Sequence, residues 1–176
     1  MKIINISGKA MAGKDTTALI LKEKLEAKNK KVIITHYADL VKYVSTQFFK
    51  WNGIKDEQRR TILQKVGSDI VRTQKPNYWV DFVKGFVEMF QDKWDYILIA
   101  DCRFPNEVLS WREDGWDEIS IRVMRTDFEN SLTKEQKNHP SETALDDFEF
   151  DYYITNPSGL DKLECAVDKF IEWLEV

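Results

Sequence analysis

The chain has 176 residues, about the length of one ordinary domain, and 43% of them are hydrophobic while 32% are charged. This balance is typical of a folded globular protein, and the net charge of −4 excludes a generally basic nucleic-acid binder. From the length we expect one domain, residues 1–176. The apolar run at the start is too short for a signal peptide or a membrane span, so we expect the protein to be in the cytoplasm.

The first quarter of the chain predicts a strand, a glycine-rich loop, a helix and a second strand. Residues 2–7 form a short β-branched run that ends at a glycine, and residues 14–28 place apolar side chains on one helical face. Residues 31–37 have the composition of a second strand. A helix that ends near residue 52 follows, and its predicted inner side chains are Val41, Val44 and Phe48.

Residues 56–91 have a helical pattern in two pieces, which Pro76 and Asn77 divide. The predicted inner face of the first piece is Leu63, Val66 and Ile70. The predicted inner face of the second piece is Trp79, Phe82, Phe86 and Phe90.

Three more strands complete the pattern. Residues 95–101 are apolar at successive positions, which is typical of a strand covered on both faces in a parallel sheet. A helix is predicted to begin at Pro105, strands at 118–125 and 150–156 follow, and an amphipathic helix closes the chain at 160–174. Because strands alternate with helices, the sequence predicts an α/β fold with a five-stranded parallel sheet and right-handed crossovers.

The loop between the first strand and the first helix matches the phosphate-binding pattern G-x-x-x-x-G-K from Gly8 to Lys14. At such a loop the backbone N–H groups and the helix N-terminus converge on an anionic phosphate. A solvated turn is the alternative, but the strand and the helix on either side favour a nucleotide site. The predicted ATP-binding residues of this segment are Gly8, Ala10, Ala12, Gly13, Lys14, Asp15, Thr16 and Thr17.

Asp15 occupies the position at which the pattern normally has a Ser or Thr that binds Mg²⁺. A carboxylate is an acceptable Mg²⁺ ligand, although it adds negative charge beside the triphosphate. Either Asp15 holds the metal, directly or through water, or Thr16 takes that role. Asp101, at the end of the third predicted strand, is the other candidate metal residue, because P-loop enzymes often have a metal-orienting acid there.

Six segments resemble, in the same order, the deoxynucleoside monophosphate kinases of large bacteriophages and their bacterial relatives. The segments are GKAMAGKDTTA, HYADLVK, LQKVGSDIVR, YWVDFV, ADCRFPNEV and HPSET, and the resemblance extends from residue 3 to about 156. It implies a three-layer P-loop kinase fold and the transfer of a phosphoryl group from ATP, with Mg²⁺, to a (deoxy)nucleoside 5′-monophosphate. In that family G-K-D-T is the usual form of the loop, so Asp15 fits the resemblance.

A monophosphate kinase needs cations at the acceptor's phosphate, and arginine suits this task because its planar fork grips two phosphate oxygens. The candidates are Arg72, Arg103 and Arg125. The last two follow predicted strands, at the carboxyl ends where open α/β sheets bind ligands. The predicted catalytic residues are Lys14, Asp101, Arg103 and Arg125, whereas Arg112 is expected on the surface.

The acceptor is expected to bind against the helical segment 39–91. Asp39 and Lys42 lie in the stretch ADLVK, which resembles the segment that contacts the acceptor in the family. Trp79 is either a stacking platform for the base or, as its apolar stripe favours, a core residue. With Arg72, Arg103 and Glu142, these residues form the predicted substrate-binding set.

Two segments near the end of the chain are also predicted to contact the nucleotides. Residues 126–149, which include His139, are predicted to form a lid that excludes water from the phosphates. His139 itself is more readily explained as a structural residue. The stretch TNPSGL resembles the loop that touches adenine in related small-molecule kinases, and Asn156 is the residue in it that we predict to bind ATP.

Two alternatives to a nucleotide kinase stay open at this point. Another P-loop kinase, for dephospho-coenzyme A or phosphomevalonate, would have a similar loop, and a regulatory module would bind ATP without turnover. Asp101, Arg103 and Arg125 favour catalysis, because a binding module has less need for cations at the acceptor end of the sheet. The expected partners are small nucleotide substrates, with no nucleic acid and no membrane, and a homodimer is a candidate assembly.

Overall fold

One parallel sheet forms the centre of the computed structural model, which describes residues 1–53, 57–126, 132–157 and 159–175. Its strands are β1 (Lys2–Ser7), β2 (Val32–Thr35), β3 (Tyr96–Cys102), β4 (Glu118–Arg125) and β5 (Tyr152–Asn156). They lie in the order β2-β3-β1-β4-β5, and every neighbouring pair is parallel. The predicted five-stranded parallel sheet is therefore confirmed.

Helices connect the strands and cover the sheet. They are α1 (Lys14–Ala27), α2 (Ala38–Phe49), α3 (Glu57–Gln64), α4 (Tyr78–Met89), α5 (Pro105–Glu113), α6 (Lys134–Lys137), α7 (Pro140–Thr143) and α8 (Leu160–Trp173). A π-helical segment, Lys65–Arg72, continues α3, and a short 3₁₀ turn, Gln91–Lys93, precedes β3. In the described part of the chain, none of these helices has the length and apolar character needed to cross a membrane.

Two hydrophobic clusters separate three layers. Helices α1 and α8 pack on one face of the sheet, while α2, the π-helical segment, α4 and α5 pack on the other. Strand β3 contributes Leu98 to the first cluster and Ile97 and Ile99 to the second, and all three side chains are buried. This confirms the prediction of a strand covered on both faces. The layers leave the carboxyl ends of β1 and β3, where the predicted site residues lie, at one edge of the sheet.

The predicted inner face of α4 is wrong for three of its four residues. Trp79 is buried, but Phe82, Phe86 and Phe90 are between 40% and 55% exposed. The buried side chains next to Trp79 in this helix are Val80, Val83 and Val87. Both stripes have helical spacing, so periodicity could not choose between them, and the smaller β-branched side chains are the ones that pack in the core. Phe48 of α2 is exposed in the same way, at 74%.

Candidate active site

The glycine loop begins after Ser7, at the end of β1, and ends where α1 begins at Lys14. Gly8 and Gly13 have φ angles of 153° and 102°. A Cβ at Gly8 would lie 2.6 Å from the Val123 carbonyl oxygen, and a Cβ at Gly13 would lie 2.6 Å from Asn156 Nδ2. Both positions therefore require glycine for space as well as for backbone conformation.

Lys14 points back into the loop. Its Nζ donates to the Gly8 carbonyl at 2.9 Å and to the Lys9 carbonyl at 3.0 Å. Burial, and after it the positive charge of Arg103, lower the pKa of Lys14 to about 7, although nearby carboxylates oppose the shift. Because burial disfavours the charged form of Lys14, an anion bound beside its ammonium group would stabilise that form.

Two predicted ATP-binding residues, Asn156 and Thr17, and the predicted catalytic residue Arg125 contact the loop or the start of α1. Asn156, at the end of β5, is buried and donates from Nδ2 to the Ala12 carbonyl at 3.0 Å. Arg125 Nη1 donates to the Met11 carbonyl at 3.2 Å. Thr17 is fully buried and donates its hydroxyl to the Gly13 carbonyl at 2.9 Å.

These contacts correct two predictions. The Thr17 hydroxyl is used inside α1, and its side chain is in the interior with that of Ala18, so Thr17 does not face a phosphate. The Asn156 amide supports the backbone of the loop, and its burial does not support the predicted contact with adenine.

A chain of ion pairs links the loop to α2. Asp15 Oδ1 lies 3.2 Å from His36 Nε2, and His36 Nδ1 lies 3.3 Å from Asp39 Oδ2. Lys42 Nζ then donates to Asp39 Oδ1 at 2.7 Å. The hydrogen bonds to Asp15 and Asp39 raise the pKa of His36 to about 9, and the bond from His36 lowers that of Asp39 to about 2. Thr16 is exposed beside Asp15.

His36 was not predicted as a site residue. Its position one residue after β2 is the signal that could have found it, because side chains at the carboxyl ends of parallel strands face the ligand site. The contact with Asp15, however, is between residues 21 positions apart and depends on the packing of α1 against the sheet.

Asp101 joins β3 to the start of α2. Its Oδ1 accepts the Tyr37 N–H and its Oδ2 accepts the Ala38 N–H, both at 2.8 Å. A carboxylate has about four acceptor positions, so these two bonds leave capacity for a further ligand. Asp101 therefore fixes α2 and still lines the cleft described below.

Arg103 and Glu142 form an ion pair beside the loop. Arg103 Nη1 donates to Glu142 Oε1 at 2.7 Å and lies 3.3 Å from the Ser141 carbonyl oxygen. Glu142 Oε2 accepts the Ala10 backbone N–H at 2.9 Å. The structure thus brings Lys14, Arg103 and Glu142 together and shows a direct contact between Glu142 and the loop.

Arg72 lies at the other end of the site. Its guanidinium carbon is 4.0 Å from the centre of the Phe104 ring, and its Nη2 donates to Glu107 Oε1 at 2.5 Å. Burial raises the pKa of Glu107, whereas the charge of Arg72 opposes that shift. Glu107, a buried residue of the segment DCRFPNE, was not predicted as a site residue.

A cleft of about 800 Å³ joins these groups. One half is formed by the loop and the start of α1, and the other half by α2, the end of α3, the π-helical segment and Phe104. The charged side chains and the histidine that line the cleft are Lys14, Asp15, His36, Lys42, Arg72, Asp101, Arg103, Glu107 and Glu142.

Trp79 also contacts the cleft but is only 1% exposed, and its Nε1 donates to the Gly67 carbonyl at 2.8 Å. With so little of the ring exposed, the structure favours the core interpretation over stacking on a base.

The comparison of sequences decides the family. The sequence model of the deoxynucleotide monophosphate kinase family matches residues 29–167 of the chain. The chain belongs to this family. It is therefore a phosphotransferase that acts on deoxynucleoside monophosphates, and the match disfavours dephospho-coenzyme A and phosphomevalonate as acceptors. The matched residues begin after the glycine loop, so the loop supports a kinase independently.

Known structures show the same fold at low sequence identity. The APS kinase CysC of Mycobacterium tuberculosis, as a Cys556Ala mutant, is 12% identical with a TM-score of 0.51, over 99% of this chain and 97% of that chain. The shikimate kinase of Bacteroides thetaiotaomicron is 12% identical with a TM-score of 0.50, over 99% and 98%. Both are P-loop kinases, which confirms the predicted fold class. No curated protein sequence matches the chain.

Proposed function

We propose that the kinase transfers the γ-phosphoryl group of ATP, with Mg²⁺, to a deoxynucleoside 5′-monophosphate in the cytoplasm. The observation that carries this proposal is the single cleft that connects the glycine loop to the cations beside α2 and the π-helical segment. Donor and acceptor phosphates need to meet in one space, and this cleft joins the two groups of residues.

The half of the cleft formed by the loop and the start of α1, which we call the donor half, is suited to the phosphates of ATP. The backbone N–H groups of Gly8, Ala10, Ala12 and Gly13 and the N-terminus of α1 supply donors, and Lys14 supplies charge. The lowered pKa of Lys14 supports this role, because a phosphate beside the ammonium group would restore its full charge. Arg125 and Asn156 support the loop through the Met11 and Ala12 carbonyls.

The residues at the mouth of the loop fit Mg²⁺. Asp15, Thr16 and Asp101 offer oxygen ligands, and Mg²⁺ usually binds one or two carboxylates together with waters and nucleotide phosphates. Over the described ranges of the chain, no group of three or more His, Cys, Asp or Glu side chains could hold a metal alone. This agrees with a metal that arrives with the nucleotide, where it would neutralise charge on the phosphates.

The half formed by α2, the end of α3, the π-helical segment and Phe104, which we call the acceptor half, is suited to a nucleoside monophosphate. We assign Arg103 to the space between the two substrates, because it follows β3 and lies within the electrostatic reach of Lys14. Arg72, Lys42 and Asp39 line or border the acceptor half and are assigned to the monophosphate and its sugar. The lid prediction for 126–149 also remains a proposal; residues 127–131 lie outside the described part, and the rest contributes Glu142.

A second copy of the chain is the proposed partner. The outer side of α4 exposes Tyr78, Phe82, Phe86 and Met89, each at least 40% exposed, and such apolar patches mark protein contacts. Light scattering should report a dimer for the wild-type protein and a monomer for Phe82→Glu. A monomeric wild type would refute this assembly without affecting the assignment of the site.

An ADP-release assay with a panel of acceptors tests the proposed function. We expect steady turnover of ATP with at least one deoxynucleoside monophosphate, dependent on Mg²⁺, and formation of the corresponding diphosphate. The panel includes dephospho-coenzyme A and phosphomevalonate. Turnover of only these two, or ADP release that does not depend on any acceptor, would refute it.

A further inference from the structure

The Glu142 carboxylate lies at the part of the loop where the donor phosphates are proposed to bind. Its Oε2 accepts the Ala10 N–H at 2.9 Å, and its Oε1 accepts Arg103 Nη1 at 2.7 Å. The side chain is only 6% exposed. One buried carboxylate therefore uses a loop amide and a guanidinium, which are the two kinds of donor that bind phosphate groups.

The electrostatic surroundings favour an anion at this point. Lys14 and Arg103 are close enough that the positive charge of Arg103 disfavours the charged form of Lys14 and lowers its pKa. Glu142 has the opposite effect on Lys14, so it partly compensates two neighbouring cations. An anionic ligand that entered the loop would provide the same compensation.

The rest of the segment is fixed to the loop by other contacts. Lys9 Nζ donates to the Glu142 carbonyl at 2.6 Å and also pairs with Asp146. Arg122 Nη2 contacts the same Asp146 carboxylate at 3.1 Å. Because these bonds do not involve the Glu142 carboxylate, that side chain can leave the Ala10 N–H while the backbone of the segment stays in place.

We propose that Glu142 is an internal substitute for the terminal phosphate of ATP, which the donor nucleotide displaces. The inference rests on the proposed function, since it requires that the loop binds the donor phosphates. The Ala10 N–H has a single hydrogen, so the carboxylate and a phosphate oxygen compete for it, and two anions at that distance repel each other. Displacement frees Arg103 from Glu142, so Arg103 becomes available for phosphoryl transfer only when ATP is bound.

The affinity for ATP in the absence of an acceptor tests this competition. Glu142→Gln removes the charge at nearly constant size, and we expect its Kd for ATP and for tripolyphosphate to fall about fivefold or more, because no internal anion has to leave. Asp147→Asn is the matched control: it removes the charge of an exposed carboxylate in the same segment and leaves the Lys9–Asp146 and Arg122–Asp146 pairs in place. Its Kd should stay within about twofold of the wild-type value.

The Ala10 amide resonance reports displacement directly. The ¹H–¹⁵N shift of Ala10 should differ between empty wild type and empty Glu142→Gln, and should become the same when both are saturated with ATP. In the wild-type protein alone, the ¹³Cδ resonance of Glu142 should move on ATP addition, so the test does not depend on the folding of the variant.

Each outcome separates the two proposals. Equal or weaker ATP binding by Glu142→Gln, or Ala10 shifts that still differ with ATP bound, would refute the displacement and leave the proposed function standing. If neither protein binds ATP or tripolyphosphate, the loop is not the donor site, and both proposals fail.

Discussion

The Arg72 guanidinium and the Glu107 carboxylate form an ion pair in the wall of the acceptor half, with 2.5 Å between Nη2 and Oε1. The Glu107 side chain is 2% exposed, and its Oε2 accepts the backbone N–H groups of Arg103 and Phe104. A single buried carboxylate therefore fixes the direction of one arginine and the backbone of another. Arg72 and Arg103 therefore share this one support.

We expect Arg72→Lys to impair acceptor binding selectively. Lysine keeps the charge but loses the planar group that stacks on Phe104 and bonds to Glu107. The KM for the deoxynucleoside monophosphate should rise about tenfold or more, while the Kd for ATP changes less than twofold. Steady-state kinetics with varied acceptor, together with calorimetry with ATP, provide both numbers.

Arg112→Lys is the matched control. Arg112 is exposed, as the sequence predicted, and it bonds to Glu118 at 2.7 Å and to Asp151 at 2.6 Å, outside the cleft. Its replacement should lower the melting temperature by about 2–4 °C and leave the acceptor KM unchanged. A similar rise of acceptor KM in both variants would mean that Arg72 acts only through stability.

Lys14→Met should abolish transfer and stabilise the ligand-free protein. Burial lowers the pKa of Lys14 to about 7, below the ordinary value of 10.5, so the unfolded chain binds more protons between these pH values and wild-type stability rises with pH. Methionine has no charge to bury, so at pH 7 we expect a gain of about 1–3 kcal/mol in unfolding free energy. Thermal melts should show this gain shrinking towards pH 10; a less stable variant would contradict it.

His36 should make the metal-free protein less stable as the solution becomes basic. Its pKa is raised to about 9 by hydrogen bonds to Asp15 and Asp39, so its stabilising effect is complete below about pH 6.5 and is lost as the pH rises through 9. Between pH 7 and 9.5 the melting temperature should fall about 2–4 °C more in wild type than in His36→Gln. Identical profiles would show that this histidine is neutral in the folded protein.

Asp15→Asn tests the residue that departs from the usual loop pattern. If the carboxylate helps to hold Mg²⁺, the variant should need about threefold or more Mg²⁺ to reach half of its maximal rate, because an amide is a weaker ligand. Asp39→Asn, which also removes a partner of His36, is the control and should leave the Mg²⁺ titration unchanged. An unchanged titration for Asp15→Asn would move the role to Thr16 or Asp101.

The sheet and the glycine loop could be predicted because their signals are local. The strand runs 2–7 and 118–125 coincide with β1 and β4, and the apolar positions of α1 that the pattern selects are buried. Glycine spacing in the loop also encodes backbone conformation, which the φ angles of Gly8 and Gly13 match. Such features depend on a few adjacent residues, so one sequence is enough to find them.

The remaining features depend on contacts between distant residues. In the sequence, Glu107 is one of several carboxylates near the start of a predicted helix. Its role in the site depends on its contact with Arg72, which is 35 positions away in the chain. The pairing of Glu142 with Ala10 spans 132 positions. Propensity and periodicity carry no information about such pairs, and for the same reason they could not show that Asn156 contacts the loop backbone.

The effect of Arg103→Lys tests the central claim most directly, namely that Arg103 acts between the two substrates. The lysine keeps the charge but loses the guanidinium fork. We therefore expect kcat/KM for the deoxynucleoside monophosphate to fall by a factor that corresponds to a loss of about 2–4 kcal/mol in transition-state stabilisation. The Kd for ATP without acceptor should barely change. Weaker ATP binding with unchanged turnover of bound substrate, or a sharply lower melting temperature, would contradict the account and make Arg103 a donor-site or structural residue.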